Sequence, residues 1–437
     1  MTPAGSRCVL AALLAAAQLK QVHAQAPPQG PEPLQTQLPA PAPSAPASSG
    51  LWRWFNPATA PFIPIPEIAT DPNSGTTVGL IPTWLQTDEH EDIHRIIAPD
   101  VMHNTYFGYG VHGRIYAYPS ADEQWSITAG IKERVERSFI AQLQSGRLRE
   151  KRWSIATSLV YDRDGTPRFF GVGNDSPASS ETNYTNEQGS LQAQVGLNFN
   201  RAWQLQYTVR MRIVDILPGT LPGIPSIETL FPELPGLGTT KALLNRLAIV
   251  YDTRDDLTAP RSGAEWVMYA GVANQGGLLS DSLYSEAGVD GRMFWTLGRS
   301  TSLAVHTAVR YLPRTDELPF WALSCIGGQQ TEIGGTQPLR GYGGGRYCDR
   351  NSFSASAELR QRIWSLHIFA THADLEFTPF IDVGRVFEGT GTWPLTQLHK
   401  VGGIGFRGVA RPFVVGYVDI GYGNEGVAVF TGLNYPF

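Results

Sequence analysis

Residues 203–213 read Trp203-Gln204-Leu205-Gln206-Tyr207-Thr208-Val209-Arg210-Met211-Arg212-Ile213. Every odd position is apolar and every even position polar, the period of an extended strand with two unlike faces rather than that of a helix. Leu191 to Phe199 alternates in the same way, with Gln192, Gln194, Gly196 and Asn198 on the polar side. So do Phe353, Ala355, Ala357 and Leu359 against Ser354, Ser356, Glu358 and Arg360. Strands in soluble sheets average about five or six residues, whereas a tilted strand crossing a bilayer needs about 9 to 11. These runs have the longer dimension.

Working outward, sixteen such segments are expected at 76–86, 104–118, 124–135, 137–147, 151–162, 188–199, 203–214, 243–252, 264–273, 283–296, 301–311, 352–363, 377–387, 400–408, 412–420 and 426–437. Long connections at 87–103, 163–187, 215–242 and 312–351 are separated by short turns such as 119–123, 148–150, 200–202, 297–300 and 409–411. An even strand number with long loops at one end and short turns at the other predicts a 16-stranded antiparallel transmembrane β-barrel of the outer membrane. A large secreted β-sandwich or propeller explains neither the strand length nor the two-sided asymmetry.

Composition agrees. The 437 residues include 46 Gly, 19 Phe, 16 Tyr and 11 Trp but only 5 Met and 3 Cys, which suits strands and turns. The longest apolar run, Cys8 to Ala17, is half the length a spanning helix needs. A net charge of -5 gives no basic field for nucleic acid.

The start has the layout of an export signal over residues 1–24: Arg7, an apolar stretch from Val9 to Ala17, and Val22-His23-Ala24 as a small-residue cleavage site. Twelve of the 32 prolines fall between Pro27 and Pro66. Residues 25–69 are therefore expected to be an extended periplasmic tether, with the barrel over 70–437.

Within the loop 312–351, Gly334-Gly335-Thr336 is followed by Leu339-Arg340-Gly341-Tyr342. Phe380-Ile381-Asp382-Val383-Gly384 and Gly403-Ile404-Gly405-Phe406-Arg407 come after it in order. Upstream lie Phe170-Gly171-Val172-Gly173-Asn174 and Tyr251-Asp252-Thr253-Arg254-Asp255 with Pro260-Arg261-Ser262-Gly263. This ordered set resembles the outer-membrane insertase and translocase superfamily that contains BamA, TamA and the two-partner secretion transporters. There the (V/L)-R-G-(F/Y) segment is the tip of the sixth external loop, and F-x-D-x-G and G-x-G-x-R are barrel strands. The resemblance implies that the long loop plugs the lumen.

Strand parity points Asp382 inward, with Glu358 and Arg407 beside Gly403 and Gly405. The fork of Arg340 is then expected to bond Asp382 and Glu358. The bland alternative is that this pairing only stabilises the barrel. Cys325 and Cys348 flank the Arg340 motif; in an oxidising compartment they are expected to close the loop as a disulfide, two free thiols being the alternative. Gly432, Tyr435 and the terminal Phe437 stand where many outer-membrane proteins carry an insertion signal.

Two other patterns invite chemistry. His90-Glu91-Asp92-Ile93-His94 fits H-E-x-x-H, which needs both histidines one helical turn apart; in an acidic loop without an apolar face it reads as solvated surface. Gly403-x-Gly405-x-x-Gly408 matches a dinucleotide fingerprint but has no strand-turn-helix unit or following acid. No catalytic residue, metal ligand or cofactor is therefore expected.

In the resembled family, periplasmic POTRA domains precede the barrel. The Pro-rich segment before Thr76 is too short for one, so a barrel-only member is expected. The resemblance implies insertion or translocation of polypeptide, or of lipid, at the Gram-negative outer membrane. Its partners would be outer-membrane lipid, lipopolysaccharide and nascent outer-membrane proteins. Lateral opening between the first and last predicted strands is expected, aided by Pro82 and Pro436, which lack ladder donors. A passive pore or structural surface antigen is the alternative, and a membrane-embedded hydrolase a third.

Overall fold

The structure is a computed structural model and describes residues 62–87, 93–257, 259–328, 339–368, 371–389, 395–410 and 414–433. The signal, most of the tether, His90-Glu91-Asp92, Gly334-Gly335-Thr336, Tyr435, Pro436 and Phe437 lie outside them.

The strands in chain order are β1 (Phe62–Asp71), β2 (Gly75–Thr87), β3 (Ile93–Ile97), β4 (Asp100–Asn104), β5 (Gly108–Ser120), β6 (Glu123–Lys132), β7 (Arg137–Ser145) and β8 (Trp153–Asp164). After the two-residue β9 (Arg168–Phe169) come β10 (Thr182–Asn198), β11 (Trp203–Pro218), β12 (Gly238–Asp252), β13 (Gly263–Ala273), β14 (Leu283–Thr296) and β15 (Thr301–Glu317). The small strands β16 (Ser324–Ile326) and β17 (Tyr347–Asp349) precede β18 (Asn351–Ile368), β19 (Thr371–Phe387), β20 (His399–Ala410), β21 (Val414–Gly423) and β22 (Gly426–Leu433). Among the described residues helix is confined to single turns such as α1 (Ile227–Leu230).

Each long strand pairs antiparallel with its neighbour in the chain, as in Trp203↔Tyr251 and Ser356↔Asp382. The sheet ends meet where the Thr70 N–H donates to Thr431 Oγ1 at 2.9 Å, so β22 returns beside β1. The result is the expected antiparallel barrel, and each of the sixteen expected segments overlaps a long strand among the described residues.

The described residues form eighteen strand positions rather than sixteen. One addition is β1, which occupies the end of the segment read as tether because its Pro64 and Pro66 resemble tether composition. The other is β3 and β4, which together pair with β2 on one side and β5 on the other. Ala98 and Pro99 interrupt this position, and each half is too short to carry a visible alternation.

The additions reverse the direction of β2. Its junction with β3 falls at the end of the barrel that carries the short turns 121–122 and 199–202, so 87–103 is not a long external loop. His94, the second histidine of the H-E-x-x-H pattern, sits in extended β3, which does not provide the helical turn that motif requires.

The alternation that decided the fold is realised as an apolar exterior and a polar interior. Trp203 is 42% exposed and Gln204 3%, while Ile381 is 55% exposed and Asp382 0%. Ile127, Leu159, Leu191, Tyr207, Leu247, Met268, Ile404 and Ile420 extend the apolar belt around the outside. The sheet's luminal face carries many buried polar groups, with small apolar clusters such as Ala248, Val250, Val267 and Tyr269 between them, and further apolar clusters form where the long connections fold back over one mouth.

One of these clusters joins Phe169, Val214, Ile216, Ile227, Phe320 and Cys348 from several connections and strands. The rings of Phe169 and Phe320 meet edge-on at 5.3 Å, and those of Phe169 and Phe231 at 5.2 Å. Each fully buried aromatic contributes about 1.5–3 kcal/mol, so the long connections form a packed cap.

Candidate functional site

The tip of the connection between β15 and β18 descends from this cap into the lumen. Leu339, Arg340 and Tyr342 are almost wholly buried. Leu339 and Tyr342 join Ile326, Tyr347, Phe380, Val386 and Val401 in one apolar cluster. The Tyr342 hydroxyl accepts from the Asn424 N–H at 3.2 Å.

Arg340 is the centre of the site. Its Nη2 and Nε donate to the two oxygens of Asp382 at 2.8 and 3.0 Å, and its backbone N–H reaches Asp382 Oδ2 at 3.0 Å. Its Nη1 donates to Glu358 Oε2 at 2.9 Å and Asp419 Oδ2 at 3.2 Å. Its guanidinium carbon lies 3.6 Å from the centre of the Phe380 ring, a cation over an aromatic face.

Three further strands complete the arrangement. Arg360 Nε donates to Glu358 Oε1 at 2.7 Å. Arg407 donates to both oxygens of Asp419, with Nη2 at 3.1 Å from Oδ2, and Nη2 also reaches Glu358 Oε2 at 3.4 Å. Three guanidinium groups thus face three carboxylates, all buried. Opposite charges removed from water are tolerable only in such a mutually bonded set.

The glycines have a steric reason. A Cβ on Gly403 would stand 2.2 Å from Phe380 Cζ, and one on Gly405 2.1 Å from Asp419 Oδ1. One on Gly341 would meet the Val401 methyls at 2.7 Å, and one on Gly421 the Arg340 carbonyl oxygen at 2.0 Å. Bare backbone on β20 and β21 is what admits the loop tip.

Above the tip, Cys325 and Cys348 are joined by a disulfide between the paired strands β16 and β17. Residues 170–174 pack here too. The Gly173 N–H donates to the Cys348 carbonyl at 2.8 Å, and Asn174 Oδ1 accepts from the Val386 N–H at 3.0 Å. Arg346 lies 4.6 Å from the Phe170 ring centre and donates to Glu425 through Nε at 2.7 Å.

The structure therefore brings Leu339, Arg340, Gly341, Tyr342, Glu358, Asp382, Gly403, Gly405 and Arg407 together. Gly432 is not among them; it lies in β22, paired with Tyr417, whose ring centre is 5.3 Å from the Arg407 guanidinium. Asp419 and Phe380 are partners of Arg340 that the sequence reading did not assign. The alternation Tyr417, Asp419, Gly421 against Val418, Ile420, Tyr422 carries the signal for Asp419. Gly403, Gly405 and Gly408 lie within the single strand β20 and open no helix.

Comparison with known proteins was consistent with this geometry. Residues 123–406 match the Omp85 superfamily domain. No curated protein matches the chain. Among solved structures, BamA from Haemophilus ducreyi lacking POTRA domains 1-3 is similar at a TM-score of 0.51 and 11% identity, covering 85% of this chain and 75% of that one. CdiB from Acinetobacter baumannii gives 0.45 and 13%, covering 85% of this chain and 59% of the other. CdiB from Escherichia coli gives 0.44 and 9%, with coverages of 86% and 67%. With the family domain spanning well over half of its length and the BamA barrel as its fold, this chain belongs to the Omp85 superfamily of the Gram-negative outer membrane.

Proposed function

We propose that this barrel inserts polypeptide into the outer membrane or moves it across, by parting β1 from β22 while the Arg340 loop keeps the lumen plugged. The observation that carries the reading is the seam. Among the described residues β1 is laddered to β2 and β22 to β21. Thr70 directs its N–H to β22, and Pro64 and Pro66 share its parity along β1. Both prolines therefore withhold a donor from the seam.

The seam strand is β1 and not the 76–86 segment expected from sequence. Pro82 lies one strand inside it, opposite Pro64. The cargo would be an unfolded outer-membrane polypeptide that pairs with the freed strand edge, and lipid would be its surroundings. A static plugged pore would need the same buried arginine cluster but gains nothing from a donor-poor seam.

The test is a double variant, Thr70→Cys with Thr431→Cys, oxidised in the outer membrane of living cells. Locking the seam should reproduce the outer-membrane proteome of a deletion strain, and reduction should reverse it. If the locked barrel supports a normal proteome, lateral opening is wrong.

A further inference from the structure

A second polar constellation lies at the mouth with the short turns, lined from strands other than those that hold the Arg340 cluster. It is a cavity of about 280 Å³ lined chiefly by Gln144, Gln194, Gln204, Gln206, Arg149 and Arg254. Asp252 and Glu265 are its acids, and Arg147 adds a further cation. The short turns mark this mouth as periplasmic.

The charges here do not close on themselves. Arg254 takes Asp252 with Nε and Nη2 at 3.0 and 2.9 Å and also reaches Glu265 at 2.9 Å. Arg292 shares Glu265 at 3.1 Å. Arg149 is left with a single approach to Asp252 at 3.6 Å, and its Nη1 is buried with no acceptor among the described residues. A buried guanidinium N–H without an acceptor is costly. Arg149 also holds a positive φ of 57°, a conformation uncommon for a side-chain-bearing residue and frequent where backbone strain serves a site. Burial draws its pKa below the ordinary value while Asp252 pulls the other way.

We infer that this cavity binds a carboxylate-bearing, extended polypeptide segment, with Arg149 taking the carboxylate and the luminal glutamine amides the neighbouring peptide groups. The inference deepens the proposed transport reading, and rests on it for the identity of the polypeptide as cargo. Side-chain amides both donate and accept, as peptide groups do. They stand on β7, β10 and β11, so a chain entering the mouth meets them strand after strand. The lining faces the lumen, not the belt where lipid headgroups sit, which favours a peptide carboxylate over a lipid phosphate.

The test uses the full-length purified barrel in detergent with three probes: a labelled short peptide rich in aspartate, its counterpart with each aspartate replaced by asparagine, and inorganic phosphate as competitor. The acidic peptide should bind, and Arg149→Gln should weaken it about tenfold or more, the loss expected for one charge-assisted hydrogen bond. Arg149→Lys should recover part of the affinity, and retained heat-modifiable gel mobility will show that both variants are folded. Equal binding of acidic and neutral peptides, or unchanged affinity in folded Arg149→Gln, overturns the site. Displacement of the peptide by an equal concentration of phosphate overturns the peptide assignment and leaves a simple anion site. Since binding is read on purified protein, a positive result beside an unaffected proteome in the seam-locked strain would retire the transport reading alone.

Discussion

Arg340 gives its backbone N–H, Nε and Nη2 to one carboxylate, that of Asp382, at 3.0, 3.0 and 2.8 Å. Main chain and side chain of the loop tip are thus tied to the same residue of β19. Asp382→Asn keeps the shape and removes the charge, turning an amide toward three donors. Breaking a buried ion pair from one side costs about 3–5 kcal/mol. The variant is expected to lose heat-modifiable gel mobility at a lower temperature and to show higher conductance in planar bilayers. Unchanged values in both assays would reject Asp382 as the anchor of the plug.

Gly421→Ala tests the plug without touching a charge. The added methyl would meet the carbonyl oxygen of Arg340 at 2.0 Å, a backbone atom that cannot rotate away. The loop tip is expected to be displaced, with native strand content by circular dichroism and increased proteolysis in the 339–347 segment. Resistance equal to that of the parent protein would mean that the tip is not seated against β21.

Cys325→Ser removes the disulfide that spans a sequence separation of 23. Loop-closure entropy assigns such a crosslink about 3 kcal/mol. The cap should soften while the barrel remains, seen as faster amide exchange in β16 and β17 and unchanged exchange in β11 and β12. Uniform loosening of all these strands would contradict a local role.

Pro64→Thr with Pro66→Thr supplies two N–H donors on the side of β1 that faces β22. Each new hydrogen bond is worth about 0.5–1.5 kcal/mol. The barrel should unfold at higher temperature, and its proposed activity should fall as the seam tightens. Lower thermal stability in the double variant would show that the prolines fit the seam for another reason.

The strands were legible because lipid and lumen impose opposite polarity on alternate residues, as in Trp203 to Ile213. The same rule located Asp382, Glu358 and Arg407 on the inside. It failed for β1, where prolines masked an edge strand, and for β3 and β4, where Pro99 cuts one strand position into halves. Asp419 escaped because one inward acid among Tyr417, Gly421 and Gly423 looks no different from any solvated luminal residue. Its role follows from the spatial approach of β21 to β18 and β19, which no local period encodes. The cavity around Arg149 was hidden for the same reason, since β7, β11 and β12 contribute to it from far apart in the chain.

Thr70 and Thr431 are 361 residues apart, whereas the long strands otherwise pair with a neighbour close by in the chain. Hairpin contacts form early because little chain entropy is lost in making them. A contact between the two ends of a free chain of this length costs about 5 kcal/mol in closure entropy, a cost that falls only as the intervening sheet curls. The order of assembly is thereby set: an open, growing sheet comes first and the seal between its edges last. During its own biogenesis the protein must pass through a curled sheet with two unsatisfied edges, so it needs its neighbours in the membrane before it has a closed wall of its own.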